Sequence, residues 1–234
     1  MIVRRHNGHL LLITQPDHAV LASHVMAHWR ADGLIAHPRR EVILLATREH
    51  DGGWTDVDAA PLVDERTGGI LDFVRAPDAV RQGVWPVAVE RLRDEPFAAA
   101  LVAQHAITVY DSNRDAPRWQ AFFSHMEDLR GRYLSATALT LDELLRDYRY
   151  VFLGDRVSLT FATLRADPWN VDGYEMRAAA DTVTVRPDPF EGRTVPFSLK
   201  GRLIADVSYS TAAEAAAAFT AASVVTISAA ATGS

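Results

Sequence analysis

The chain of 234 residues contains no cysteine, and Lys200 is its only lysine. Without cysteine there is no disulfide framework, no thiolate nucleophile and no Cys-based zinc site, so any metal must be held by His, Asp or Glu. The formal net charge is -6, and basic residues form no cluster along the sequence. These features argue against nucleic acid or an anionic membrane as the main partner.

Long apolar runs are also absent. No stretch reaches the roughly 18 apolar residues that a transmembrane helix requires, and the apolar run at residues 10–13 is too short for a signal peptide. We therefore expect a cytoplasmic protein. Hydrophobic residues make up 48% of the chain and charged residues 23%, which is typical of a soluble globular protein with a real core.

Helical periodicity dominates the first 168 residues. Apolar residues recur at helical spacing in several stretches, which we interpret as helices: residues 15–29, 41–51, 80–93, 97–110, 119–132 and 141–164. Before the first helix, residues 9–14 form an apolar run that could be a strand. The fold class that we predict is mainly α, a helical bundle with a small β-rich C-terminal appendage.

The composition changes after residue 168. Three short runs alternate in the manner of strands, at residues 182–186, 194–199 and 207–209. An Ala-rich helix is expected at residues 211–222, capped by Ser210 or Thr211 with Glu214, and a final strand at 223–228. We predict turns at 187–189 and 200–201 and a frayed end at 229–234. The expected domains are therefore a helical domain of residues 1–168 and a β-rich α+β appendage of residues 169–234 packed on it.

The pair His50-Asp51 ends an apolar helix, at the point where Gly52 and Gly53 terminate it. Both side chains are common metal ligands. Adjacent helical residues point about 100° apart, so the two could reach one ion only if that ion lay between helices. Further ligands would then have to come from distant parts of the chain.

Three other polar residues interrupt apolar helical faces. His18 lies at the inner end of an amphipathic helix, His105 lies within a strongly apolar helix, and Asp155 divides the apolar series of the longest helix. A buried imidazole must be hydrogen-bonded, charged at a cost, or bound to a metal, and a buried acid needs a cation. The alternatives are hydrogen-bonded core histidines and a surface pair of Asp155 with Arg156.

A long irregular segment, residues 54–77, follows the His-Asp pair and is rich in Asp, Gly and Pro. Loops of this length are uncommon in compact domains unless they are functional or mobile. The segment could fold over the end of the helix as a wall or lid, and Trp54 and Asp58 are then candidate substrate-binding residues. The alternative is a tolerated surface insertion.

In chain order, the candidates read His18, then His50-Asp51, then His105, then Asp155. This order resembles the HD-domain superfamily of metal-dependent phosphohydrolases, whose helical bundles hold one or two divalent metals. The resemblance covers roughly residues 15–165. It implies that His18 is the first ligand, that His50 and Asp51 are the doublet, and that Asp155 is the last. His105 would be the extra histidine of dinuclear members.

The sequence is also similar to a bacterial family of uncharacterised proteins known only as a domain of unknown function. The patterns that carry this similarity are Gln15-x-x-His18, Arg48-Glu49-His50-Asp51-x-Gly53-Trp54, a Gln or Ser before His105, and Asp155-x-x-Ser158-Leu159. The similarity implies a shared fold and no established activity.

The HD resemblance implies a specific chemistry. Imidazoles and carboxylates bind Mn, Fe, Zn, Ni or Mg, and a bound water then loses a proton near neutral pH and attacks phosphorus. Asp51 would bind one ion or bridge two. Arg48 or Arg156 could neutralise a phosphate, and Glu49 could orient a ligand or the water. The alternative for these three residues is solvation at the surface.

Three functions fit these expectations. The first is a metal-dependent hydrolase, phosphohydrolase-like, that acts on a small phosphorylated or nucleotide-like substrate. The second is a non-catalytic protein that binds a metal or ligand, and the third is a di-iron HD-type oxygenase. The expected partner is a small molecule rather than nucleic acid or a membrane, and the sequence leaves open a homodimer.

Overall fold

A computed structural model describes residues 1–234. The chain is 51% helical and 20% strand, and its strands form one seven-stranded, curled mixed sheet. The fold is therefore a mixed α/β fold, and the predicted helical bundle with a small appendage is wrong. The sheet combines strands from both ends of the chain, which local periodicity could not reveal.

Seven α-helices and seven strands make up the fold. The helices are α1 (Gln15–Ala27), α2 (Arg40–Glu49), α3 (Asp78–Arg91), α4 (Pro96–Val109), α5 (Pro117–Ser135), α6 (Leu141–Ala162) and α7 (Ala212–Ala221). The strands are β1 (Ile2–His6), β2 (His9–Ile13), β3 (Trp169–Val171), β4 (Tyr174–Ala178), β5 (Thr182–Arg186), β6 (Val195–Ala205) and β7 (Val224–Gly233). None of the helices combines the length and the apolar character needed to cross a membrane.

The predicted helices agree with the structure to within a few residues, because their signals are local. Thr14 caps α1 by accepting a hydrogen bond from the Asp17 N–H. Thr140 and Glu143 form a reciprocal capping box at the start of α6. Thr211 likewise accepts from the Glu214 N–H at the start of α7, as the sequence predicts.

The strand predictions were less accurate. The sheet order is β1-β2-β6-β7-β5-β4-β3, with only β5 and β7 parallel. The predicted turn at residues 200–201 lies inside β6, where a side chain on Gly201 would meet Leu11 at 2.7 Å. The predicted strand at 207–209 is irregular, and the residues expected to fray, 229–234, lie mostly in β7 between β6 and β5.

Helix α6 is the centre of the molecule. It packs on α1, α2 and α4 on one side and on β3, β4 and β5 on the other. One core cluster runs through the helices and the sheet, and Phe161 of α6 meets Phe197 of β6 edge to face at 4.9 Å between ring centroids. This contact and the sheet both cross the boundary that we proposed at residue 168. The fold thus places polar side chains of four helices around a common centre.

Candidate metal centre

Five side chains of the predicted ligand set converge between these four helices. They are His18 from α1, His50 and Asp51 at the end of α2, His105 from α4 and Asp155 from α6, and none is more than 5% exposed. Two overlapping triads form, one of His18, His50 and Asp51, and one of His50, His105 and Asp155. Within each triad the ligand atoms all lie within 4.8 Å of one another. Residues separated by 137 positions in the sequence, His18 and Asp155, therefore share one buried cluster.

The turn after α2 brings the doublet into this cluster. His50 still has helical backbone angles, whereas Asp51 (φ -103, ψ 15) has left the helix. The chain then passes directly against α3, because a Cβ on Gly53 would lie 1.8 Å from the carbonyl oxygen of Val84. Only glycine allows so close an approach. Because the helix ends between His50 and Asp51, the two side chains do not have to point about 100° apart, as they would in a continuing helix.

The outer nitrogens of His18 and His50 are held by hydrogen bonds. His18 Nδ1 lies 2.7 Å from Ser158 Oγ, and that hydroxyl donates to the carbonyl of Asp155 at 3.0 Å. Since its proton is already engaged, Ser158 accepts from His18 Nδ1–H. His50 Nδ1–H donates to the carbonyl of Thr47 at 2.6 Å. Both rings are thus fixed in the tautomer that leaves Nε2 free to bind a metal.

His105 follows the same arrangement. Its Nδ1 lies 3.0 Å from the hydroxyl of Tyr148, and its Nε2 lies 3.9 Å from Asp155 Oδ2. All three rings are therefore anchored on Nδ1 and present Nε2 to the carboxylates. This is the arrangement found around metal-binding histidines.

The carboxylates occupy the middle of the cluster. Asp51 Oδ2 lies 2.7 Å from His18 Nε2 and 3.4 Å from His50 Nε2. Asp155 Oδ1 lies 3.5 Å from His50 Nε2. His50 Nε2 itself is buried and has no hydrogen-bond partner. The centre of the cluster thus holds an unsatisfied nitrogen facing two acids.

The charges of these groups are strongly coupled. Burial alone would lower the pKa of His50, but the negative charges of the nearby Asp51 and Asp155 outweigh burial and raise it to about 10. Burial would raise the pKa of Asp51, yet His50 and His18 hold it well below its usual range. Burial likewise opposes the lowered pKa of Asp155, which Arg156 and His50 produce. His105 is different, because burial and the nearby positive charge of His50 lower its pKa to about 3.

The donor chemistry fits a divalent metal. Because the Thr47 carbonyl can only accept, His50 Nδ1 carries a proton, and a neutral ring would point its Nε2 lone pair at two carboxylates. A second proton or a bound cation removes this repulsion. Three imidazoles with two carboxylates suit Mn, Fe, Zn or Ni. The cluster could therefore hold a metal ion.

A cavity of about 410 Å³ opens onto one side of the cluster. Asp51, His105 and Asp155 line this cavity, whereas His18 and His50 do not. The cavity wall also includes three arginines, five large aromatic side chains and several polar residues: Arg81, Arg156, Arg165, Phe73, Trp54, Trp85, Tyr110, Trp169, Gln15, Ser112 and Asn113. A small molecule in the cavity would contact the ligand residues directly.

The predicted substrate-binding residues have different positions. Trp54 is 1% exposed and lines the cavity, and Arg156 lines it beside Asp155. Asp58 is buried but lies outside the lining, where it accepts from the Gln15 N–H at 2.6 Å and pairs with the Met1 amino group at 2.7 Å. Asp58 thus holds the start of α1 in place.

The predicted catalytic residues Arg48 and Glu49 do not line the cavity. The Arg48 side chain is 63% exposed, and its Nε lies 3.6 Å from Glu49 Oε1. His50, at the end of α2, points towards the cluster. Arg48 and Glu49 precede it on the same helix and therefore point in other directions. The structure does not bring these two residues to the cluster.

The segment at residues 54–77 forms part of the cavity wall. It contributes Trp54, Phe73 and Val74 to the lining. Phe73 N–H also bonds to the Met1 carbonyl, which ties the segment to β1. Of the two interpretations of the sequence, a wall describes these contacts better than a surface insertion.

Sequence reasoning missed the outer partners of the histidines. Ser158 follows Asp155 by three positions, which places both on one face of α6, so helical spacing could have identified it. Thr47 lies three residues before His50, but its carbonyl is backbone and gives no sequence signal. Tyr148 lies within the predicted helix at residues 141–164, and nothing in the sequence distinguishes it from a core residue. Trp169, which lines the cavity, lies in β3, a strand that the sequence analysis does not predict.

Comparison with known proteins gives one family match. A family model described as "Protein of unknown function (DUF3891)" matches residues 1–206, which include α1 to α6 and β1 to β6. Neither the curated proteins nor the solved structures gave a match. The predicted similarity to a family of unknown function is confirmed, whereas the relation to HD-domain hydrolases stands on the residue pattern alone.

Proposed function

Because this chain belongs to DUF3891, a family of proteins of unknown function, we propose a function from the site itself, a metal-dependent hydrolase acting on a small phosphorylated or nucleotide-like molecule. One observation carries the proposal. The buried cluster of three histidines and two aspartates is open on one side to a cavity that three arginines line.

The open side of the cluster favours catalysis over a structural metal. Structural sites are closed by protein ligands, whereas catalytic sites keep a position for water or substrate. Here His18 and His50 lie behind the cavity, and Asp51, His105 and Asp155 form part of its surface. A substrate would therefore approach the ligand set from one direction only.

The protein's own side chains would hold the metal-binding imidazoles in place and neutralise the charge of a bound phosphate. Ser158, Thr47 and Tyr148 hold the three imidazoles, so that no ligand ring has to turn when the site fills. A divalent ion at this cluster would supply a water of lowered pKa and a Lewis acid. Arg156 lies beside Asp155 and would neutralise a phosphate at the same place. Buried Trp54 and Trp85 would limit the access of bulk water.

The first experiment is a measurement of metal content by elemental mass spectrometry on tag-free protein. We expect stoichiometric metal in the wild type and its loss in both His50→Ala and Asp155→Ala. The matched control is His125→Ala, which removes an exposed histidine of α5 and should leave the content unchanged. A folded wild type that takes up none of Mn, Fe, Zn and Ni at micromolar concentrations would refute the proposal.

The second experiment tests catalysis on the metal-loaded protein. We expect hydrolysis of at least one small phosphomonoester, with at least a hundredfold loss of kcat/KM in Asp155→Ala. Circular dichroism on each variant would separate loss of activity from loss of fold. A metal-loaded protein that binds phosphate compounds and hydrolyses none would favour the non-catalytic binding function instead.

A further inference from the structure

Arg156 is held rigidly at the cavity wall, but its hydrogen-bonding groups are not all used. Its guanidinium carbon lies 4.4 Å from the ring centroids of both Phe152 and Trp169, and its side chain is 15% exposed. The nearest carboxylate oxygen, Asp155 Oδ2, lies 3.4 Å from Nε, and Nε is buried without a hydrogen-bond partner. Stacking fixes the guanidinium plane. The terminal guanidinium nitrogens of Arg156 make no hydrogen bond within the chain, so they can donate from this fixed plane to an acceptor in the cavity.

Arg165 brings a second positive charge to the same aromatic ring. Its guanidinium carbon lies 4.8 Å from the centroid of Trp169, and the residue lines the cavity. Arg165 forms no salt bridge and no side-chain hydrogen bond within the chain. By contrast, Arg81, the third arginine of the wall, already binds Asp78. Arg156 and Arg165 line the same cavity, so its wall carries positive charge with which an anion could pair.

The other part of the wall is aromatic. Trp54, Trp85 and Tyr110 are 1%, 4% and 9% exposed, and all three line the cavity. They come from the turn after α2, from α3 and from the end of α4. Flat apolar walls of this kind bury planar rings well. The cavity therefore combines a surface for a ring with a positively charged surface beside the carboxylates.

We propose that the cavity binds an aromatic phosphomonoester, with the phosphate held by Arg156 and Arg165 and the ring packed on Trp54, Trp85 and Tyr110. The proposal deepens the proposed function and rests on it, because the phosphate then lies next to Asp155 and the rest of the cluster. A cavity of about 410 Å³ has room for such a small ligand. An ion bound to Asp51 and Asp155 would offset their negative charges and leave the arginines to the phosphate.

Three small probes test the two parts of this assignment. Phenylphosphonate carries a ring and the anion and has a C–P bond that hydrolysis does not break. Methylphosphonate has the anion without the ring, and benzyl alcohol has the ring without the anion. Isothermal titration calorimetry would measure each probe against the full chain, once after dialysis with a chelator and once after loading with Mn. Running both states separates anion binding by the arginines from binding by the metal.

We expect phenylphosphonate to bind about tenfold more tightly than methylphosphonate in both states, from one good aromatic contact. Benzyl alcohol should bind more weakly than either anion. Arg165→Gln should weaken both phosphonates by about five- to tenfold. Arg165 is exposed, so this variant should fold. The matched control is Arg132→Gln, which removes a guanidinium that lies 4.8 Å from the Tyr133 ring and does not line the cavity.

Two results would overturn the inference. One is equal affinity for phenylphosphonate and methylphosphonate, which would show that the cavity makes no favourable contact with the aromatic ring of the ligand. The other is equal phenylphosphonate affinity in the wild type and Arg165→Gln. A lower melting temperature of that variant would then identify Arg165 as a purely structural cation at the end of α6.

Failure of the inference and failure of the proposed function give different results. Phenylphosphonate binding that depends on Arg165, in a protein that takes up no metal, supports the anion and ring sites and refutes the hydrolase. Metal binding and phosphomonoester hydrolysis without any preference for the aryl probe support the hydrolase and refute the aromatic substrate class.

Discussion

Each histidine of the cluster depends on one residue that holds its outer nitrogen. For His18 this residue is Ser158, whose hydroxyl accepts from Nδ1 and donates to the Asp155 carbonyl. The hydroxyl thus links His18 on α1 to the backbone of Asp155 on α6. Such outer contacts commonly change metal affinity by ten- to a hundredfold.

Ser158→Ala should therefore lower metal affinity by about ten- to a hundredfold while the protein remains folded. The substitution leaves every ligand in place and removes only the acceptor for His18 Nδ1–H. Titration with Mn or Zn against a competing chelator would measure the effect. Ser135→Ala, at the exposed end of α5, is the control. Equal metal affinities of Ser158→Ala and the wild type would show that His18 needs no such support.

Metal binding should release a proton at pH 8. The pKa of His50 is raised to about 10, so the metal-free ring is protonated at pH 8 and the ion must displace that proton. Because fewer of the metal-free rings carry a proton as the pH rises, metal affinity should increase with pH up to about pH 10 and level off above it, where the free ring is mostly neutral. Calorimetry in two buffers of different ionisation enthalpy would count the protons. Identical heats in both buffers would mean that metal binding releases no proton, so that His50 is not protonated in the metal-free protein at pH 8.

At the scale of elements, the site depends on how closely α6 approaches α1 and α2. A Cβ on Gly154 would lie 2.7 Å from Met26 Cγ and 2.8 Å from Thr47 Cγ2. The next residue is Asp155 of the buried cluster, and Thr47 supplies the carbonyl that holds His50. Glycine at this position therefore sets the spacing of three helices that contribute side chains to the cluster.

Gly154→Ala should destabilise the protein by about 1–3 kcal/mol, because the added methyl group overpacks a filled interface. It should also weaken metal binding, since Asp155 moves with its helix. Gly131→Ala is the matched control in α5, where nothing lies within 4 Å of the new Cβ. That change should stabilise by about 0.4–1 kcal/mol. Urea unfolding of both variants would check the opposite signs.

At the scale of the whole molecule, the sheet joins the two ends of the chain. Strand β6 pairs with β2 on one side and with β7 on the other, and β7 pairs with β5. The last strand is thus central, although it lies beyond the residues that the family model matches. Ala231 of this strand is completely buried. The chain end therefore connects the two halves of the sheet.

Deletion of residues 229–234 should lower the free energy of unfolding by at least about 3 kcal/mol. The deletion removes the residues of β7 that pair with β5, and with them several ladder hydrogen bonds, each worth about 1 kcal/mol. A frayed tail would instead make the deletion neutral. Urea unfolding followed by circular dichroism distinguishes these outcomes, with the full chain as reference.

The sequence by itself determined the helices and picked out the five residues that meet in the buried cluster. Caps and apolar periodicity act within about a dozen residues, so Thr14 and Thr140 define helix starts without tertiary information. The same local logic identified His105 and Asp155, because a polar group on an apolar face needs a partner somewhere. The local pattern does not show which residue of the chain is that partner.

Only the tertiary structure decided the sheet, the cavity and the roles of the residues near the doublet. Leu10 pairs with Ile204, a contact across most of the chain that no local pattern encodes, so the fold class was mistaken for a helical bundle. Arg48 and Arg156 both neighbour a ligand in sequence, yet only Arg156 faces the cavity. The physical reason is that helix packing and strand pairing set the direction of each side chain, and both depend on residues far away in the sequence.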